Sequence, residues 1–241
     1  MSYLILLTAL LPIAILVYYI YHKDKKSPEP TGQLVKAFLF GILSVPVSFC
    51  MSIPLGIIGL YPVEVTSILG SISTAFFGAA IPEEIAKFFM LWLLLRKNPY
   101  FDEKMDGIVY AVCISLGFAA LENIMYLFSN AESYLSVGIA RAIFAVPGHF
   151  CFGIMMGYYY SLAEFYPKTP KKNKVLILIA PILAHGLYDS ILFIINVTPT
   201  ISGILLIVFL VFCHKMWKYG SCRIKEHILR DSTENIEMME L

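Results

Sequence analysis

Apolar residues in this chain come in long runs separated by short polar stretches, with no strand-like alternation long enough to compete. A helix needs about 20 mostly apolar residues to cross a bilayer. Seven runs meet that length: 3–21, 34–60, 65–95, 107–128, 135–165, 175–195 and 201–217. The pattern predicts an all-α membrane protein, a polytopic bundle of about seven transmembrane helices. The third and fifth runs are too long for one simple helix. The third contains Pro82 and the fifth contains Pro147-Gly148, so each is expected to be broken, kinked or re-entrant there. The first run has no positive leader and ends in Tyr-Tyr-Ile-Tyr instead of small residues, so it reads as a retained helix and not a cleaved signal. A single helical domain is expected over 1–221, followed by a polar, disordered cytoplasmic tail over 222–241 that ends in scattered acids (Glu234, Glu237, Glu240).

Composition agrees. Of 241 residues, 59% are hydrophobic and only 15% charged, against about 25% in a soluble domain, and the mean hydropathy is +0.75. Lipid therefore supplies much of the solvent. The net charge of +1, with no glycine-rich phosphate loop and no basic-aromatic stripe, excludes a nucleic-acid partner. Five cysteines without a Cys-x-x-C read as small buried hydrophobes, not as disulfides or metal ligands.

Basic residues set the orientation. Fifteen of eighteen fall in 22–33, 96–106, 166–174 and the tail beyond 214; the alternating loops at 61–64, 129–134 and 196–200 hold none. An odd number of spans follows, with the N-terminus outside and the C-terminus in the cytoplasm. Three basic residues remain. Lys36 can snorkel to the interface. Lys87 and Arg141 lie within spans, together with Glu83, Glu84, Glu122, Asp189, His149 and His185. An Asp, Lys or Arg at a helix centre costs roughly 2.5–3.5 kcal/mol. A sequence that keeps so many charges there is expected to face them toward each other or toward a wet cavity.

Spacing gives these residues local sense. Ile81-Pro82-Glu83-Glu84-Ile85-Ala86-Lys87 reads as a helix start, with proline early, carboxylates in the first turn, and Glu83 and Lys87 in the favoured i,i+4 order. Taken as structure alone, this is an ion pair beside a proline, and it leaves the second carboxylate without a role. Glu122 is a proton-relay acid or a structural acceptor for Arg141. His149 stands beside Pro147-Gly148, where a lone histidine is more often a core residue than a ligand. His185 and Asp189 are i,i+4, so the pair can share a ligand, or the carboxylate can orient the ring. Carboxylates with histidines suit metal-assisted hydrolysis: a catalytic zinc keeps about three protein ligands and an open position for water. The H-E-x-x-H signature is absent, so any ligands come from several helices. No serine or cysteine stands in a nucleophile's context.

Four of these segments, in order, resemble a family. Glu-Glu-Ile-Ala-Lys at 83–87, Phe-Ala-Ala-Leu-Glu at 118–122, the His149 segment and His-Gly-Leu-Tyr-Asp at 185–189 look like the motifs of the PrsW family of intramembrane proteases. That family is related to the CAAX-prenyl-protease (Abi) superfamily. Glu122 stands where CAAX-type enzymes have histidine, and Lys87 follows Glu84 by three residues, where they have a more distant arginine; both favour the PrsW branch. The resemblance covers roughly 75–190, within a protease core of about 65–195. It implies a bacterial cell-membrane enzyme that makes the site-1 cut in a single-pass anti-sigma factor on its extracytoplasmic side, leading to sigma-factor release. Carried over, Glu83 and Glu84 become the water-activating pair, with Lys87 holding one carboxylate. Glu122, His149 and His185 become metal ligands or transition-state stabilisers, and Asp189 a fourth ligand or orienter. The cofactor so implied is one divalent metal, zinc first, with a glutamate-only mechanism left open. Arg141 has no counterpart; a partner for Glu122 is the expectation. The competing readings are a proton- or cation-coupled transporter or channel, a non-enzymatic membrane scaffold, and a CAAX-type prenyl endopeptidase.

Overall fold

The computed structural model describes residues 2–25, 27–166 and 171–239, with side chains through Thr233. Lys26, Lys168 and Glu240, which entered the charge reading, lie outside the described residues, as do the side chains of Glu234 and Glu237. No strand occurs among the described residues. Seven long helices follow one another: α1 (Ser2–Lys23), α2 (Thr31–Ile57), α3 (68–95), α4 (Lys104–Ser129), α5 (Tyr134–Phe165), α6 (Lys171–Val197) and, after a short 3₁₀ turn, α7 (Ser202–Met239). Six of them contain windows long and apolar enough to cross a membrane. The exception is α3, which carries Glu83, Glu84 and Lys87 in its second half.

The two prolines act differently from a chain break. Both α3 and α5 run through them, but each widens into a π-helical stretch just before its proline, at Thr74–Ala80 and Arg141–Ala145. A proline ring clashes with the carbonyl four residues back. Those carbonyls, at Gly78 and Ile143, lie inside the π stretches, where the widened ladder absorbs the clash. The helix continues through each proline without a break, and the residues after it are rotated relative to a plain α-helix.

α4 forms the axis of the bundle. Every residue from Lys104 to Ala120 is buried, packed chiefly against α5 and α2 and then α1. Small residues allow this close approach. A Cβ on Gly41 of α2 would fall 2.0 Å from the Ile114 carbonyl oxygen, and one on Gly157 of α5 would fall 2.2 Å from that of Gly107.

The C-terminal segment departs from the expected disorder. α7 continues unbroken past Cys222, and Ile224, His227 and Asp231 are buried. Its charges are spaced for a helix: Glu226 accepts from Arg223 at 2.5 Å and Arg230 at 2.6 Å. His227 stacks on Tyr158 at 4.6 Å, and Asp231 accepts from the backbone amides of Lys104 and Met105 at the start of α4. Polar composition had concealed a docked helix.

Candidate active site

The π stretch turns the segment after Pro82 so that Glu84 and Lys87 point into the bundle. Glu84 is fully buried and Lys87 is 1% exposed. The Lys87 ammonium donates to Glu84 Oε1 at 2.8 Å and Glu83 Oε2 at 3.4 Å, and it lies 3.2 Å from His149 Nδ1. The Phe118 ring covers it, 4.1 Å from Nζ to the centroid. An ammonium only donates, so His149 Nδ1 accepts and the ring proton resides on Nε2, 3.0 Å from Glu122 Oε2. Ser115 donates to the His149 carbonyl at 2.6 Å and fixes that turn.

A second set builds on α6. His185 Nδ1 donates to Glu84 Oε1 at 2.9 Å, so Nε2 is the nitrogen left for the cavity. Asp189 Oδ2 lies 3.3 Å and Glu83 Oε2 4.0 Å from it. Phe152 stacks on the His185 ring at 4.6 Å. Backbone contact helps hold this face: a Cβ on Gly186 would come 2.4 Å from the Phe76 ring of the π stretch.

Arg141, left open in the sequence, sits at the start of the second π stretch. Nη2 donates to Glu122 Oε2 at 2.5 Å and Nε to Asn123 Oδ1 at 2.5 Å, and the guanidinium stacks on Tyr126 at 4.2 Å. Asn123 in turn donates to the Ala9 carbonyl of α1 at 3.0 Å. Asn123 and Phe152 escaped the sequence reading, and Phe118 entered it only as the first residue of the 118–122 motif, without a role. Asn123 adjoins Glu122, which was the one available signal; Phe152 looks like any lipid-span residue.

All the residues singled out in the spans are thus brought together. Glu83, Glu122, His149, His185, Asp189 and Arg141 line one cavity of about 400 Å³. A second cavity of about 440 Å³ on the α2 side shares Ala79, Glu83, Glu122 and Tyr126 with it. The groups form two tiers. Glu84 and Lys87 are sealed beneath, while the side chains of Glu83 (14%), Glu122 (17%), Asp189 (17%) and Arg141 (12%) remain partly accessible.

Nitrogen and carboxylate donors of this kind suit a zinc-class metal. Ligand atoms about 2 Å from a tetrahedral zinc lie roughly 3.3 Å apart. His185 and Asp189 meet that spacing, and Glu84 on Nδ1 orients the imidazole as a carboxylate does behind a metal-bound histidine. The expected four-ligand set is not gathered around one point. Glu122 and His149 form a separate pair engaged by Arg141 and Lys87, and no three donor atoms of this site lie mutually within 4.8 Å. The residues fit a metal in kind, and in spacing on the His185–Asp189 side.

Comparison with known proteins matches residues 29–214 to the family model described as PrsW family intramembrane metalloprotease. Protease PrsW of Oceanobacillus iheyensis is 38% identical over 190 residues, covering 78% of this chain and 82% of that protein. Protease PrsW of Clostridioides difficile is 35% identical over 226 residues, covering 92% and 90%. Protease PrsW of Bacillus subtilis is 36% identical over 183 residues, covering 75% and 78%. No solved structure matches the chain. These relatives favour hydrolysis over the transporter and scaffold readings. The matched region contains every side chain of the two-tiered site, and the chain belongs to the PrsW family of intramembrane metalloproteases.

Proposed function

We propose that this intramembrane protease makes the site-1 cut in a membrane-anchored anti-sigma factor, on the extracytoplasmic side of the bacterial cell membrane, leading to release of a sigma factor. The observation that carries the reading is the two-tiered site: a partly accessible Glu83 directly above the sealed Glu84–Lys87 pair, facing Glu122, Arg141 and the histidines across one cavity. The alternation of basic loops supports an N-terminus outside and a C-terminus in the cytoplasm. With that orientation the cavity lies toward the outer ends of α4 and α6.

The residues divide the work by position. Glu83 takes a proton from water, since it is the member of the acidic pair that reaches the cavity. Glu84 and Lys87 are positioning residues: they hold Glu83, His149 and the Nδ1 face of His185 in place. Arg141 presents its remaining N–H groups on the opposite wall, where the oxygen of a tetrahedral intermediate develops charge, while His149 Nε2–H holds Glu122 beside it. His185 and Asp189 would hold a divalent metal, zinc by its donor preference. When bound, such a metal polarises the scissile carbonyl and acidifies water.

The test is reconstitution with a single-pass substrate bearing an extracytoplasmic cut site. Wild type is compared with Glu83→Gln, Glu84→Gln and His185→Ala. Cleavage is expected only with the wild type, and equal cleavage by all four would sink the reading. A reporter fused in 129–134 is expected to signal from outside; a cytoplasmic signal there overturns the orientation.

A further inference from the structure

The other end of α4 carries a second buried acidic group that the protease reading does not use. Asp24, from the α1–α2 connection, Glu29, just before α2, and Asp106, in the first turn of α4, each bring one carboxylate oxygen within 4.8 Å of the others. They are 5%, 6% and 0% exposed. Structural roles account for part of each. Asp106 Oδ2 caps α4, accepting from the amides of Glu103 at 2.6 Å and Asp102 at 3.1 Å. Glu29 Oε2 accepts from the Tyr110 hydroxyl. Two oxygens have no such role: Asp24 Oδ2 and Asp106 Oδ1 are enclosed and accept no hydrogen bond from an amide, hydroxyl or ammonium group, and the Asp106 and Glu29 carboxyl groups face each other at hydrogen-bonding range. A cavity of about 60 Å³, lined by Asp24, Glu103 and Asp231, adjoins the group.

Enclosed carboxylate oxygens without donors are costly unless something positive sits among them. Two more acids surround the group: Glu103 and Asp231 act on Asp24 together with Glu29. The neighbouring ammonium of Lys104 sits on Asp231 at 3.3 Å, and Lys23 borders the small cavity. Oxygen-only donors select hard cations over zinc or copper. We propose that Asp24, Glu29 and Asp106 form a binding site for a divalent hard cation, Mg²⁺ or Ca²⁺, which clamps the α1–α2 connection to the start of the central helix. Without the ion the site holds protons instead. Burial, then the surrounding carboxylates, push Asp24 up to about 8, and Glu29 is raised as well, mainly by burial.

The site is separate from the protease cavity, so the two ideas fail separately. The test uses the full chain, purified in detergent and stripped with chelator, titrated with Mn²⁺ and followed by the paramagnetic resonance of the free ion. His185→Ala serves as background, to remove binding at the candidate active site. A single Mn²⁺ site is expected there, displaced by Mg²⁺ or Ca²⁺; the better competitor identifies the ion. Asp24→Asn combined with Asp106→Asn is expected to weaken it at least about tenfold. Each carboxamide mimics the protonated acid, so the fold is expected to survive, with tryptophan fluorescence as the check. Unchanged Mn²⁺ affinity in that variant overturns the proposal, as does the absence of Mn²⁺ binding at millimolar concentration in the His185→Ala background. If the paired variant does not fold, a wild-type unfolding midpoint that millimolar Mg²⁺ and Ca²⁺ both leave unmoved has the same force.

Discussion

Replacing Lys87 by methionine isolates what the sealed tier contributes. Methionine keeps most of the apolar stem against Phe118 and removes only the ammonium. Glu84, fully buried, then keeps one partner, His185 Nδ1 at 2.9 Å, and its Oε2 has no partner even in the intact protein. Removing one member of a buried ion pair costs about 3–5 kcal/mol, because the remaining charge stays desolvated. At about 1.4 kcal/mol per factor of ten, the folded-to-unfolded ratio falls by roughly two to three and a half orders of magnitude. Removing both charges is a different perturbation: Lys87→Met with Glu84→Gln is expected to return to within about 1 kcal/mol of the wild type. The assay is reversible unfolding in mixed micelles with a denaturing detergent, read by fluorescence of Trp92 and Trp217. Cleavage is expected to be absent in both variants, since the double variant restores stability without restoring the scaffold under Glu83. If the single variant loses less than about 1 kcal/mol, or the double variant is no more stable than the single, the pair is not the buried ion pair described and the reasoning fails.

Other outcomes are equally specific. Glu83→Gln is expected to lower the cleavage rate by about 10²–10⁴ with an unchanged unfolding midpoint, because a partly accessible carboxylate is replaced by a near-isostere; a drop of less than tenfold removes Glu83 as the water-activating group. Arg141→Lys keeps the charge but loses the fork that reaches Glu122 and Asn123 together, so it is expected to behave much like Arg141→Ala in the cleavage assay; near-wild-type activity for Arg141→Lys counts against a role for the guanidinium geometry. Gly186→Leu forces Phe76 aside and is expected to lower activity by displacing His185, whereas Gly203→Leu, with open space at its Cβ, serves as the neutral control. Asp24 gives a pH prediction. Its folded value, about 8, lies above the 3.8 of a free aspartate side chain, so the folded state binds the proton more tightly. In chelator, stability is expected to fall as pH rises from about 4 through 8, in the field of Glu29, Asp106, Glu103 and Asp231 with Lys23 and Lys104 nearby. A flat profile, measured as unfolding midpoint against pH, refutes this.

What the sequence made legible is what a single helix fixes. Seven apolar runs mark seven long helices, and in six of them the length and hydropathy are those a bilayer imposes, α3 with its buried charges being the exception. Glu83 with Lys87 and His185 with Asp189 were readable as pairs because a period of 3.6 puts i and i+4 on one face, and both lie within 4 Å. The closer contact of Lys87 is nevertheless with Glu84, at i+3, and its third is with His149, 62 positions away. Cross-helix contacts such as Glu84–His185 and Glu122–Arg141 depend on how each helix is rotated about its axis. That rotation comes from the π stretches before Pro82 and Pro147 and from the glycine contacts along α4, and hydropathy carries neither. The tail beyond Cys222 was misread for a related reason: its docking rests on a few side chains, such as His227 on Tyr158 and Asp231 at the start of α4, while its bulk composition is that of a free end.

The two acidic groups share the central helix. Asp106 stands in its first turn and Glu122 sixteen residues later, about 24 Å along the axis. Between them α4 is buried on every side through Ala120, and glycine contacts with α2 and α5 leave little room for it to slide or bend. A cation clamp at the first turn therefore need not move anything to matter. By fixing the start of α4 against the α1–α2 connection, it restricts the axial position of Glu122, to which Arg141 and His149 are both bonded. Those two groups in turn form the wall opposite Glu83. If the inner site binds an ion, the ordering of that end and the geometry of the outer cavity are expected to be coupled through this one element, and a cleavage rate unchanged by saturating Mg²⁺ and Ca²⁺ counts against it.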